Sequence, residues 1–101
     1  MSTTRKPRRP RESDIYRPLP RKALQGGKAI AERYQMTLWR ENGEWYGQGV
    51  EEPGVYADGR TVAECARNLR KALAIAVAWN LEDGEAIVPP IIDQEQRRKA
   101  G

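Results

Sequence analysis

The run Pro53-Gly54-Val55-Tyr56-Ala57-Asp58-Gly59-Arg60-Thr61, together with the apolar-periodic segment 62–82 behind it, decides how the rest of the chain folds. Pro53-Gly54 and Asp58-Gly59 are turn formers on either side of Val55-Tyr56-Ala57, which reads as a short strand or a piece lying across a sheet edge. A helix begins at once. Thr61 is its N-cap, and Glu64 three residues later completes a capping box, each group meeting a backbone N–H that the first turn leaves orphaned. Val62, Cys65, Ala66, Leu69, Ala72, Leu73 and Ala76 then recur at helical spacing, with Arg67, Arg70 and Lys71 on the opposite side and Gly84 as C-cap. The spacing predicts a helix of about 21 residues, about 32 Å long.

Its second half is apolar on two sides, because Ile75, Val77, Ala78, Trp79 and Leu81 add a face to the one continued by Leu73 and Ala76. One sheet cannot cover both. Two expectations follow: contact with the chain's own termini, or, favoured here, a subunit interface at Ile75, Ala78 and Trp79, since large exposed apolar patches mark association sites. Asn80 interrupts the run and Lys71 and Glu82 bound it, so it is too short to span a membrane.

Working backward, Tyr34 to Glu51 forms a hairpin around Asn42-Gly43, a two-residue type I′ turn that fixes the register. Glu41 then faces Glu44, Arg40 Trp45, Trp39 Tyr46, Leu38 Gly47, Thr37 Gln48 and Met36 Gly49. Large residues opposite Gly47 and Gly49 leave a trough that a helix can approach closely. The other face carries the Trp39–Tyr46 pair, which stabilises a sheet without any ligand and is also able to stack a base. Residues 21–33 suggest one or two short helical turns, with Gly26-Gly27 arguing against a continuous helix. Residues 1–20 hold Arg5-Lys6-Pro7-Arg8-Arg9-Pro10-Arg11 and almost nothing to bury, and read as a disordered basic arm. Beyond the long helix, Glu85 to Asp93 reads as a short edge strand, since Pro89 and Pro90 forbid a central one. Residues 94–101 read as a polar, frayed tail.

The whole is one small α+β domain at residues 34–93, a three-stranded antiparallel sheet packed by one long helix, with the fourth strand at its edge. Its folded part of about 60–70 residues is marginal in stability, and oligomerisation would help it. Its single cysteine excludes an internal disulfide, and Cys65 belongs on the buried side of the helix. With no targeting or membrane segment in view, the expected compartment is a reducing cytoplasm. Charge is divided along the chain: residues 1–33 hold ten Lys or Arg against three acids, and residues 34–101 hold eight against eleven.

The order of hairpin, Pro53-Gly54-Val55, Ala57-Asp58-Gly59-Arg60-Thr61, long helix and Ile87-Val88-Pro89 resembles the HicB-like antitoxin family. Tyr34 through Leu38 and Trp45-Tyr46 in the hairpin also match, and the most specific part is Gly59-x-Thr61-x-x-Glu64-x-x-x-Asn68-Leu69. The resemblance covers residues 34–92. It implies a partly degraded ribonuclease H-like fold that oligomerises and neutralises a small HicA-type ribonuclease toxin. Such proteins usually add a C-terminal operator-binding module; this chain ends nine residues after Ile92, leaving the basic arm as the candidate substitute.

Catalysis by this chain is not expected. No histidine is present to act as general base or zinc ligand, no cofactor motif appears, and the carboxylates have no evident metal-holding arrangement. The reading is therefore a protein that works by binding, as a dimer or higher oligomer. Its acidic body suits a basic toxin, with Glu51, Glu52 and the hairpin residues Trp39 and Tyr46 as candidate partner contacts. The alternative is a nucleic-acid-binding module using Arg5, Lys6, Arg8, Arg9 and Arg11 on phosphates.

Overall fold

Turn chemistry and periodicity produce most of these elements in the expected order. The structure, a computed structural model, describes residues 18–94. It contains α1 (Arg21–Ala31), β1 (Met36–Glu41), β2 (Glu44–Gly49), β3 (Tyr56–Gly59) and α2 (Val62–Glu82). The cationic residues Arg5 to Arg11 of the arm, and all of the tail after Gln94, lie outside the described residues.

Helix α2 starts and stops where its caps dictate. The Thr61 hydroxyl oxygen accepts from the Glu64 N–H at 3.1 Å. At the other end Gly84 adopts φ 68°. There the Glu85 N–H reaches the Asn80 carbonyl at 2.8 Å and the Gly84 N–H reaches that of Leu81 at 3.3 Å, the paired bonds of a Schellman ending.

The sheet order is β1-β2-β3, antiparallel throughout. All six hairpin pairs follow the register set by Asn42 (φ 52°) and Gly43 (φ 81°), the two left-handed positions a type I′ turn needs. Strand β3 continues the sheet with Trp45 opposite Gly59 and Gln48 opposite Tyr56. Helix α2 lies in the trough over Gly47: a Cβ there would stand 2.9 Å from Leu69 Cδ2 and 3.3 Å from Cys65 Sγ. Leu69, Leu73, Val77 and Cys65 are fully buried, and each large aliphatic among them stabilises the fold by about 1.5–3 kcal/mol.

Two expectations are corrected. The lead-in is not a pair of broken turns: α1 is one 11-residue helix running through Gly26 and Gly27. It packs on α2 and on no strand, so α2 lies between the sheet and α1. A Cβ on Gly27 would meet the Ala74 carbonyl oxygen at 2.4 Å and Ala78 Cβ at 2.9 Å. Glycine costs the helix roughly 1 kcal/mol in propensity, and close packing of the two helices outweighs that cost. Arg70 of α2 then ties down the end of α1, its Nη1 donating to the carbonyls of Ala31 at 2.6 Å and Tyr34 at 2.8 Å. A cation thus sits at the negative end of α1, beside the Ala31 carbonyl and the turn that follows it. The second apolar side of α2 is accordingly covered in part within the chain. Ala78 is wholly buried, against α1, and Trp79 is only 5% exposed, while Ile75 is half-buried.

The expected fourth strand is also absent, so the sheet has three strands among the described residues. Residues 85–90 have no regular structure, and residues 91–94 are helical. Pro89 and Pro90 offer no N–H to a ladder, and side chains anchor the segment instead. The Tyr34 hydroxyl donates to the Val88 carbonyl at 2.6 Å, the Ile91 N–H donates to Glu51 Oε2 at 3.0 Å, and Arg33 Nε donates to Asp93 Oδ1 at 2.8 Å.

Candidate functional site

Strand alternation puts two chemistries on the two sides of the sheet. The side bearing Leu38, Gly47 and Ala57 lies under α2. The opposite side carries Thr37, Trp39 and Glu41 from β1, Glu44, Tyr46 and Gln48 from β2, and Tyr56 and Asp58 from β3. Neither described helix lies over it. Trp39 and Tyr46 stack with ring centroids 6.2 Å apart and planes 26° from parallel. Tyr56 is 59% exposed beside them. Gln48 Nε2 donates to the Pro53 carbonyl at 2.6 Å and to the Tyr56 hydroxyl at 3.3 Å, which orients that ring.

Three exposed carboxylates border the aromatics. Glu41 and Glu44 are directly opposed at the turn end, and Asp58 is paired with Tyr46 across β2 and β3. Among the described residues none of the three side chains has a hydrogen-bond or ion-pair partner. Like charges directly opposite one another in a sheet are unfavourable by a few tenths of a kcal/mol. An incoming cation would relieve that repulsion. The face can therefore present apolar area in its centre and negative potential at its rim, and it needs no rearrangement to do so.

Of the partner contacts expected from sequence, Trp39 and Tyr46 lie on this face, whereas Glu51 does not act at a surface. Glu51 is 8% exposed and both its oxygens are occupied, Oε1 accepting from the Gln35 N–H at 2.8 Å and Oε2 from the Ile91 N–H. It clamps the entry of β1 to the returning C-terminal segment. Glu52 is half-buried, and burial followed by the charge of Glu51 raises its pKa. The Tyr34 hydroxyl, in the same corner, is pushed up to about 12 by burial and then by the charges of Glu52 and Glu51. Burial, and then Asp58, also raise the Cys65 thiol above its ordinary value; Cys65 Sγ lies 3.8 Å from the Ala57 carbonyl, and the sulfur is structural rather than a nucleophile.

Glu41, Glu44 and Asp58, expected from sequence as solvated charges with no metal to hold, and Tyr56, expected in the short third piece, come together on this face. Their signal was present in the hairpin register, which already sets Glu41 and Glu44 on the Trp39 side. Among the described residues no group of three His, Cys, Asp or Glu is placed to hold a metal, and no helix is long and apolar enough to cross a membrane. Comparison of the chain with protein-family models, with curated proteins and with solved structures finds no match, so the functional argument rests on this face and its chemistry.

Proposed function

We propose that the protein is a masking protein of the HicB-like kind, which binds a small basic ribonuclease toxin and blocks it through the open face of the sheet. One observation carries the reading: a stacked Trp39–Tyr46 pair lies at the centre of a sheet face that neither α1 nor α2 covers, rimmed by three carboxylates without a partner among the described residues. Aromatic anchors supply buried area at low entropic cost, and the acidic rim speeds encounter with a basic partner and sets its orientation. The order of hairpin, third strand and capped long helix, and the run Gly59-x-Thr61-x-x-Glu64-x-x-x-Asn68-Leu69, support the family reading. Neutralisation of this kind needs no bond-making chemistry from the chain itself.

The test is a pull-down of the tagged full chain from its own cell lysate, with and without nuclease, and with protein and nucleic acid both identified. The expected result is a small basic ribonuclease that survives nuclease treatment and is lost when Glu41, Glu44 and Asp58 are all replaced by lysine. Recovery of nucleic acid alone, abolished by deletion of residues 1–20, overturns the reading in favour of a nucleic-acid-binding module.

A further inference from the structure

On the helical side of the molecule, away from the open sheet face, α1 and α2 flank a groove of about 900 Å³ to which Leu19 and Met36 also contribute. Its apolar lining includes Leu24, Ala74, Ile75 and Trp79. Its charged lining is one-sided: among the described residues Lys28, Arg67, Arg70 and Lys71 stand against one carboxylate, Glu32. From this geometry we infer a second interaction surface, a groove that takes an acidic amphipathic helix from a partner protein.

Four features specify that occupant. Leu24 and Lys28 of α1 and the Glu32 that caps it recur every four residues along one stripe, and Arg67, Lys71 and Ile75 do the same along α2. Two such ridges flank a channel of the kind a third helix fills. From Ala66 to Trp79 the α2 wall runs about 20 Å, the length of a helix of about 14 residues. The apolar floor separates this surface from a simple phosphate-binding patch, which would need cations without buried area. Arg70 is also pre-ordered: Nη1 is fixed on the Ala31 and Tyr34 carbonyls, while Nε and Nη2 have no partner among the described residues. A cation already held in place loses little side-chain entropy when a carboxylate arrives.

In charge, the chain's own ends do not complement the rim. Residues 1–17 carry six Lys or Arg against two acids, and residues 95–101 carry three against one, so both repeat the sign of the rim. The occupant is a segment with apolar residues at i, i+4 and i+7 and Asp or Glu on its flanks, and it is chemically unlike the basic partner of the sheet face.

The test is selection of a random 16-residue peptide display library against the full chain, followed by fluorescence anisotropy with the selected peptides. The expected peptides carry the i, i+4, i+7 apolar pattern with flanking acids. They are expected to bind the R67E/K71E variant about tenfold or more weakly, since two attractive rim charges become repulsive. Both side chains are exposed, and unchanged circular dichroism would show that the fold is kept. A floor variant, Ile75→Asp, should weaken binding similarly, while the variant with Glu41, Glu44 and Asp58 replaced by lysine should bind the peptides as before, whatever becomes of the sheet face. The inference is overturned if selection yields no peptides, if the peptides lack the acidic pattern, or if their affinity is indifferent to R67E/K71E. A 20-nucleotide single strand or duplex whose binding depends on Arg67 and Lys71, and which displaces the peptides, would assign the groove to nucleic acid and also overturn it.

Discussion

The two faces of one three-stranded sheet share a register and differ in everything else. Under α2, Gly47 and Ala57 stand opposite each other and leave room for the Leu69 and Cys65 side chains, while at Gly59 the backbone of Cys65 itself comes within contact distance. On the far side the same strands carry Trp39, Tyr46 and Tyr56 among Glu41, Glu44 and Asp58. Folding explains the first set: small residues let Leu69 and Leu73 fill the space. It does not ask for the second, where opposed carboxylates cost a little and gain no partner among the described residues. A side chain that the fold tolerates without using is the better guide to a binding surface.

That contrast can be broken by substitution, since covered positions should change stability and open ones should change partner binding. The largest effect is expected for Leu69→Ala, which empties a fully buried site beneath the helix. It should lower unfolding free energy by about 2–5 kcal/mol in denaturant titration. Glu51→Ala strands the N–H groups of Gln35 and Ile91, and should cost about 2–3 kcal/mol and loosen residues 85–94 in amide exchange. A loss of partner affinity without loss of stability would instead return Glu51 to the surface role its sequence position suggests. Gly27→Ala sets two terms against each other. Helix propensity favours alanine by roughly 1 kcal/mol, but its Cβ meets the Ala74 carbonyl oxygen at 2.4 Å. Backbone cannot rotate away, so a net loss of about 1–2 kcal/mol in thermal or denaturant unfolding is expected.

The open face should respond in the reverse sense. Glu44→Lys replaces a like-charge pair by an attractive one with Glu41, raising stability by a few tenths of a kcal/mol while weakening a basic partner about tenfold in a binding titration. The smallest effect is a pH dependence at Glu52, whose carboxyl is raised above 4.5. Below its unfolded value both folded and unfolded chains hold the proton and nothing is lost. Above its folded value a half-buried carboxylate stands beside Glu51, so stability falls as pH rises through that window. Glu52→Gln should therefore raise the Tm slightly at pH 7, with the gain shrinking as the solution is taken below pH 4.5.

Much of this was legible before any coordinates. Asn42-Gly43 fixed six cross-strand pairs, and Thr61, Glu64 and Gly84 bounded a helix whose observed limits are Val62–Glu82. The Trp39–Tyr46 pair followed from that register, and with it the side on which Glu41 and Glu44 stand. What was not legible lay wherever a residue's role depends on a neighbour distant in sequence. Gly26-Gly27 read as a helix breaker because propensity counts only local cost, whereas α1 is held by Ala74, Ala78 and Arg70, more than 35 positions away. Residues 85–93 read as a strand because their composition is apolar, yet their backbone partners are the side chains of Tyr34 and Glu51. The second apolar side of α2 suggested another subunit, and a helix from the same chain covers part of it.

By itself, then, the sequence determined the hairpin, its register and the caps of the long helix, while the third strand, expected at Val55–Ala57 with a turn at Asp58-Gly59, runs instead from Tyr56 to Gly59. The hairpin, its register and the caps are set by turn chemistry and periodicity acting over a few residues. Only the tertiary structure decided that the lead-in is a continuous helix, that Glu51 is an internal clamp, that the last segment is tied rather than laddered, and that a basic groove lies opposite an acidic sheet face. Those outcomes depend on which groups lose water together when distant segments meet, and burial of that kind leaves no signature in the spacing of residues along the chain.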